Sequence, residues 1–139
     1  MKTEVLSFEL AHRIANGALE AAKLQDLAIA VSLVDGGGHL VCFARQDGVS
    51  HLALDVTLRK ARTANGFKMP SHNLAQVAQF DANAGADIAK NSEICTVEGG
   101  LPISVNGICV GGLGIGGGTS AQDLEIAKLA LAAGTSEKP

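Results

Sequence analysis

Aromatic side chains and clustered positive charge are scarce in this chain. It has no tryptophan, no tyrosine and only four phenylalanines among its 139 residues. Proteins that bind exposed bases stack them on aromatic rings, and this chain offers little for such a platform. Its formal net charge is −3, and no run of lysine and arginine supplies the basic patch that nucleic acid requires. We therefore expect no nucleic-acid partner.

Long apolar runs are also missing. No stretch approaches the roughly 20 apolar residues of a membrane-spanning helix, so we expect no membrane partner. The opening segment, MKTEVLSFEL, lacks the apolar region and small-residue cleavage site of a secretory signal, which predicts a cytoplasmic protein. A chain of this length that is 47% hydrophobic suits one compact domain over residues 1–139.

The usual motifs of metal and nucleophile chemistry are absent. Cys42, Cys95 and Cys109 lie in apolar, strand-like runs and form no Cys-x-x-Cys pair, which is typical of buried, reduced thiols. No two histidines are four residues apart, so the helical zinc motif is missing. No Cys or Ser lies in a motif such as G-x-S-x-G. The sequence therefore leaves open whether the protein is an enzyme.

Apolar periodicity predicts the helices. The first has its apolar positions at helical spacing and Ser7 as its N-cap; they are Leu10, Ile14, Gly17, Ala21 and Leu24. The pattern is helical again from His51 to Phe67. Residues 71–91 suggest a short helix followed by a looser connection. A last helix begins near Ser120, where Ser120 and Asp123 resemble a capping box.

Four apolar runs predict strands joined into two hairpins. Leu27–Asp35 and Leu40–Arg45 flank the turn DGGGH, while residues 101–105 and 108–116 flank Asn106-Gly107. Asn-Gly between apolar strands is a strong signal for a type I′ turn, because both turn positions need positive φ. Hairpins at both ends of the chain predict an antiparallel sheet covered by helices, an α+β fold.

The segment GGLGIGGGTSAQDLE, residues 111–125, has glycine at six of its first eight positions. It matches the dinucleotide pattern G-x-G-x-x-G, but a hairpin precedes it and 22 residues follow Gly117, too few for the helix and strand of that motif. Either the glycines allow close backbone packing, or they make room for a flat ligand. In the second case, free N–H groups at the last helix would favour an anion such as a carboxylate. We favour the ligand pocket.

Four blocks resemble the GlcG/HbpS-like family of haem-binding proteins, which includes the C-terminal domain of the PduO adenosyltransferase. They are AVSLVDGGGHLVCFARQDGV, LRKARTA, EGGLPI and GGLGIGGGTSAQDLEIA, in the family order. The resemblance implies a profilin-like, three-layer α/β/α fold with a five-stranded antiparallel sheet. It also implies symmetric homo-oligomers, often octamers, and haem bound near subunit contacts. Gly116 stands where the family usually has serine, so any ligand contact of that hydroxyl is missing here.

Histidine and cationic side chains are the main functional candidates. His39 follows the first glycine-rich turn and could ligate iron or shuttle protons, although a bond to the turn backbone is the alternative. His12 could be an exposed haem or metal ligand, whereas His51 and His72 suit capping or solvated positions. Lys60 and Arg45 could hold a haem propionate or a substrate carboxylate.

Carboxylates, glycines and aromatics complete the expected site. If Asp35 and Asp123 faced one cavity with Lys60, they would form an acid–base set, which makes Lys60, Asp35 and His39 the catalytic candidates. The alternatives are a turn role for Asp35, a helix-start role for Asp123, and an ion pair of Lys60 with Asp35, Asp55 or Glu98. The expected ligand-binding set is His39, Phe43, Arg45, Lys60, Phe67, Glu98, Gly100, Gly116, Gly117, Gly118, Thr119 and Asp123, with core packing the alternative for the phenylalanines.

Three functions fit these observations. The first is a haem-binding or haem-handling protein with a glycine-lined pocket for a carboxylate-bearing ligand. The second is an enzyme or accessory protein for a small carboxylate metabolite of glycolate, diol or aromatic catabolism. The third is a structural oligomeric module. The resemblance determines the fold better than the activity.

Overall fold

The structure, a computed structural model, describes residues 5–135. Its elements follow one another as α1 Phe8–Leu24, β1 Ala30–Asp35, β2 Leu40–Arg45, α2 Ala53–Phe67, α3 Asn73–Phe80, α4 Ala82–Lys90, β3 Gly100–Val105, β4 Ile108–Gly116 and α5 Ser120–Thr135. All neighbouring strands are antiparallel, in the order β2-β1-β4-β3. The α+β fold with an antiparallel sheet flanked by helices is therefore confirmed.

The helices form a layer on each face of the sheet. α1 and α5 pack against each other and the sheet, while α2 packs against β4, β1 and β3. In the main apolar core, Leu113 of β4 pairs with Leu33 on one side and Leu101 on the other. Side chains alternate between the two faces of a sheet along each strand. The residues directly before and after each of these leucines therefore face α2 instead.

The expected five-stranded sheet is wrong, since the sheet in residues 5–135 has four strands. The four apolar runs account for all of them, and the fifth strand came with the resemblance alone. Cys95 and Val97, in the segment before β3, bond their backbone to side chains rather than to another strand. Cys95 N donates to Thr63 Oγ1 at 3.0 Å, and Ser71 Oγ donates to Val97 O at 2.6 Å.

Two local predictions had different outcomes. Asn106 and Gly107 both have positive φ, 52° and 78°, and join Val105 to Ile108 as a type I′ turn requires. The looser connection expected after the short helix is wrong, because that segment forms α4. The signal was Asp81, whose Oδ1 accepts from the N–H groups of two residues in the first turn of α4, both at 3.1 Å.

Candidate functional site

The predicted site residues fall at opposite ends of the sheet. In the register of β1, Asp35 pairs with Gly111, whereas Ala30 pairs with both Gly116 and Arg45. We call the end of the sheet that contains Asp35 and Gly111 the turn end. It is formed by residues 35–39 and their neighbours. We call the opposite end the glycine end. It comprises Arg45, residues 116–119 and the side chains that pack against them.

At the turn end, Asp35 organises the glycine-rich turn and faces His39. Its Oδ1 accepts from the N–H groups of Gly37 and His39, both at 3.0 Å, and lies 3.3 Å from His39 Nδ1. The hydrogen bond from the His39 N–H holds the pKa of Asp35 below its ordinary value of 3.8. Asp35 thus shapes a turn, the alternative role given above, and its carboxylate also lies beside the imidazole. The His39 side chain is 82% exposed, which leaves Nε2 available to a ligand.

A cation and a cavity accompany this histidine. Arg62 Nε donates to Gly38 O at 2.8 Å, and Asn65 Nδ2 donates to Gly36 O at 3.1 Å. A cavity of about 350 Å³ lies beside the turn and includes His39 and Cys109 in its lining. Arg62 was not among the expected site residues, although it lies in the same helical block as Lys60. The turn end therefore combines an imidazole beside a carboxylate, an exposed guanidinium and open space.

At the glycine end, Lys60 is committed to a partner inside the fold. Its Nζ lies 3.2 Å from Asp123 Oδ2 and donates to Ile115 O at 2.8 Å, and the two charged side chains are 3% and 5% exposed. Asp123 Oδ1 also accepts from Gly118 N at 2.9 Å. Burial raises the pKa of Asp123, while Lys60 and the Gly118 N–H oppose that shift. The ion-pair alternative for Lys60 is correct in kind, but none of the three expected carboxylates is the partner.

The expected acid–base set is not brought together. Lys60 Nζ is bound to the carbonyl of Ile115, whereas Asp35 pairs with Gly111 of the same strand. Four residues of extended chain separate these positions by about 13 Å. Asp35 and His39 therefore belong to a different part of the surface from Lys60.

Most of the glycines in β4 admit α2 rather than a ligand. A Cβ added to Gly112 would lie 2.1 Å from Ala61 O, and one added to Gly114 would lie 2.0 Å from Thr57 O. The backbone of the helix occupies the space that we assigned to a flat ligand. The preferred interpretation of this strand face is therefore wrong, and the close-packing alternative is correct. Gly100 is similar, since its added Cβ would lie 2.5 Å from Lys60 O.

The start of α5 is capped by its own residues. Gln122 N donates to Thr119 Oγ1 at 3.2 Å, and Thr119 N donates to Gln122 Oε1 at 2.9 Å, a reciprocal capping box one residue before the predicted one. The shift leaves Asp123 free to bind Lys60 and the Gly118 N–H. The N–H groups expected to attract an anion at Gly118 and Thr119 therefore already have acceptors.

Gly116 and Gly117 border a cavity at the end of the sheet. It has a volume of about 570 Å³ and a mainly apolar lining from the segment before β1, the β2–α2 loop and the first turn of α2. Val49 lies in this lining, and the Arg45 guanidinium donates to its carbonyl. The cavity is of the size that holds a small organic molecule. The glycine end thus has a pocket beyond the strand rather than over its face.

The remaining aromatic and acidic candidates are scattered. Phe43 is half-buried in β2, paired with Ser32, while Phe67 is 45% exposed at the end of α2. Glu98 is half-buried and precedes Gly99, where an added Cβ would lie 3.0 Å from Lys60 Nζ. The structure places the Glu98 segment at the glycine end, but it does not gather these side chains around one cavity.

The other histidines differ from His39 in their surroundings. His12 is exposed on α1 and stacks on Phe8, with ring centroids 5.6 Å apart. His51 is exposed before α2, and His72 precedes α3 with its Nδ1 buried and unbonded. His39 is thus the histidine with a carboxylate facing its ring in the described part of the chain.

Metal-ligating clusters and membrane-spanning helices are both absent from residues 5–135. No group of at least three His, Cys, Asp or Glu side chains is arranged to hold a metal ion there. No helix in the same range is both long enough and apolar enough to cross a bilayer. The described residues therefore offer no metal site built from three or more of these side chains, whereas a cofactor that needs one protein ligand is compatible with them.

Comparisons with known proteins agree with the four sequence blocks. The corrinoid adenosyltransferase PduO of Salmonella typhimurium is 33% identical over 129 residues, which cover 92% of this chain and 38% of PduO. Protein GlcG of Escherichia coli K12 is 31% identical over 116 residues, covering 83% of this chain and 84% of GlcG. The crystal structure of a PduOC–haem complex superposes with a TM-score of 0.85 at 32% identity, covering 94% of this chain and 95% of that one.

The match to a family model is nearly complete. The model, described as haem degrading protein HbpS-like, matches residues 6–132. This range contains both ends of the sheet and all the expected site residues. The chain therefore belongs to the GlcG/HbpS-like family.

Proposed function

We propose that this protein binds haem at the turn end, with His39 as the axial ligand. The observation that carries the proposal is the 3.3 Å approach of Asp35 Oδ1 to His39 Nδ1 beside a cavity. Histidines that ligate metals nearly always bond their second nitrogen to a carboxylate, a backbone carbonyl or water, and this partner fixes the tautomer and ring orientation. The haem in the similar PduOC structure supports the choice of ligand.

The chain's residues fit such a group without a multi-ligand metal site. Haem would bring the porphyrin nitrogens to its iron, so one protein side chain, His39, would be enough to ligate it. Arg62, held by the carbonyl of Gly38, lies close enough to the turn to pair with a propionate. One imidazole and one guanidinium at the turn end could thus bind a carboxylate-bearing ligand together.

Haem titration of the purified protein tests the proposal. We expect a saturable Soret shift that His39→Ala abolishes. Asp35→Asn should lower the haem affinity by about 10–100-fold, since that is the usual loss of affinity when a metal ligand loses its hydrogen-bonding partner. His51→Ala is the matched control and should bind like the unaltered protein. No saturable shift, or full binding by His39→Ala, would overturn the assignment of His39.

His12 is the second candidate for the iron ligand. It is exposed and stacked on Phe8, which gives it an aromatic neighbour but no carboxylate within the described residues. The same titration with His12→Ala separates the two possibilities. Loss of the Soret shift in His12→Ala, with His39→Ala unaffected, would keep haem binding and move the ligand to α1.

The cavity at the glycine end favours a second function, binding or turnover of a small carboxylate. Its support is the 570 Å³ volume beside Gly116 and Gly117, together with the Arg45 guanidinium, which donates to the carbonyl of Val49 in the lining. Thermal shifts with a panel of short-chain and aromatic carboxylates test this function. We expect at least one stabilising compound whose effect is lost in Arg45→Gln but kept in Arg59→Gln. Equal shifts in the unaltered protein and Arg45→Gln would contradict it.

We also propose that the protein is cytoplasmic and self-associates, with the octamer as the expected assembly. Large apolar side chains lie exposed, among them Phe80 at 92% and Leu24 at 88%. Each of them lines a mainly apolar pocket, Leu24 between α1 and α5 and Phe80 beside α3, and contiguous apolar surface marks a contact site more often than a single exposed side chain does. Light scattering during size-exclusion chromatography measures the assembly. A monomeric mass would contradict both this function and the third hypothesis, a structural oligomeric module.

A further inference from the structure

A mainly apolar groove runs between α1 and α5 on the outer face of the molecule. Its volume is about 580 Å³, and its lining includes Gly17, Ala21 and Leu24 of α1 with Leu129 and Ala133 of α5. It lies in the opposite helical layer from α2. Nothing in the proposed haem or carboxylate sites uses this groove.

Leucine side chains at its margins are left uncovered by the fold. Leu24 continues the apolar spacing of α1, yet it is 88% exposed, and Leu129 is 41% exposed. The apolar stripe of an amphipathic helix normally faces a packing partner. Here the stripe extends beyond the part that α5 and the sheet cover, so another surface is needed to bury its end.

The charges beside the groove are arranged symmetrically along α1. Arg13 and Glu20 both line the groove, on either side of Asn16 and Gly17. Glu9 lies one turn before Arg13, and Lys23 lies one turn after Glu20. The order of charges along α1 is thus negative, positive, negative, positive. When α1 of a second copy runs antiparallel to it, each charge faces one of opposite sign.

Both groove charges remain available to another molecule. Arg13 uses Nε to donate to Gly134 O at 3.2 Å, which leaves the terminal nitrogens of its guanidinium. Glu20 lies 3.7 Å from Lys23, but both side chains are mostly exposed, and such pairs contribute little. An exchange of this internal pair for an intermolecular one therefore costs little.

We infer that this groove is a contact between two copies of the chain. A two-fold axis crosses α1 near Asn16–Gly17, pairs Arg13 of each copy with Glu20 of the other, and brings the two Leu24 side chains over the facing grooves. Such an isologous contact uses the same patch twice, as two-fold symmetry demands. The inference rests on the proposed self-association and specifies one of its faces.

Charge reversal tests this arrangement directly. We expect Arg13→Glu and Glu20→Arg each to weaken the contact about tenfold or more, because each places like charges opposite one another twice. The double variant R13E/E20R restores opposite charges at both positions and should recover the original mass in light scattering. Glu93→Arg, beside α2 on the other face, is the matched control. Leu24→Lys tests the apolar part and should also dissociate the contact.

The outcomes separate the face from the assembly. An oligomer whose mass is unchanged in both single variants would overturn the groove as a contact while leaving self-association intact. A monomeric unaltered protein would overturn both. Single variants that dissociate but stay dissociated when combined would contradict the antiparallel pairing. Circular dichroism of each variant verifies that the fold is retained.

Discussion

Lys60 of α2 and Asp123 of α5 form a buried ion pair that joins the two helical layers at the end of β4. The Nζ–Oδ2 distance is 3.2 Å, and the ammonium also reaches the carbonyl of Ile115. Both charges are thereby satisfied without a ligand. Lys60, expected from the sequence to be catalytic, and Asp123, expected to contact a ligand, instead bind the backbone on either side of Gly116 and Gly117, at Ile115 O and Gly118 N.

Removing one member of this pair should destabilise the protein strongly. Lys60→Met leaves the Asp123 carboxylate buried with Gly118 N as its remaining donor, and breaking a buried pair costs about 3–5 kcal/mol. Urea unfolding measures the loss. K60M/D123L removes both charges and should be less destabilised than either single variant.

The exposed pair of Arg59 with Asp55 supplies the control for this measurement. Its side chains are 28% and 70% exposed, so Asp55→Ala should change the free energy of unfolding by less than about 1 kcal/mol. A change in Lys60→Met as small as that of Asp55→Ala would contradict a structural role for the buried pair.

Two glycines should respond in opposite directions to alanine. Gly114→Ala places a Cβ 2.0 Å from Thr57 O, so α2 must move away from the sheet, and we expect a loss of several kcal/mol or failure to fold. Gly66 lies inside α2 with nothing within 4 Å of an added Cβ. Gly66→Ala should therefore raise the free energy of unfolding by about 0.5–1 kcal/mol. A Gly114→Ala protein as stable as Gly66→Ala would contradict the packing of α2 on β4.

Local signals explain what the sequence predicted well. Ser7 caps α1, as its Oγ accepts from Leu10 N at 3.1 Å, and Asn106-Gly107 forms the expected turn. Both features depend on residues a few positions apart, so composition and spacing are sufficient to recognise them. The apolar runs likewise predicted the strands that the sheet contains.

Two of the errors concern contacts between distant parts of the chain. A run of glycines has the same appearance whether a ligand or a helix lies above it, and Thr57 and Ala61 are far from β4 in sequence. The partner of Lys60 is 63 residues away, so spacing could not distinguish Asp123 from nearer carboxylates. The fifth strand failed for another reason, since it was taken from relatives and no apolar run in this chain supports it.

The capping box of α5 gives a test of one residue against its neighbour. Thr119→Ala removes the acceptor for Gln122 N and should cost about 1 kcal/mol in urea unfolding. Ser120→Ala, at the position that the sequence suggested as the cap, should stay within about 0.5 kcal/mol of the unaltered protein. A larger loss of stability in Ser120→Ala than in Thr119→Ala would show that Ser120 is the cap.

The Cys42 thiol should titrate at unusually high pH. Burial raises its pKa above the ordinary value of 9.0, because the thiolate loses hydration inside the fold. In a C95S/C109S background, the rate of alkylation by iodoacetamide should therefore rise through a midpoint above 9.0, whereas the same chain in urea should show a midpoint near 9.0. The midpoint is the informative quantity, since burial also slows the reaction sterically at every pH.

The raised pKa of Cys42 also affects stability. The unfolded chain releases the thiol proton at lower pH than the folded chain, so Cys42 should favour unfolding increasingly as the pH rises past 9.0. Equal midpoints for the folded and unfolded chain would show that Cys42 is as well hydrated in the fold as in free solution.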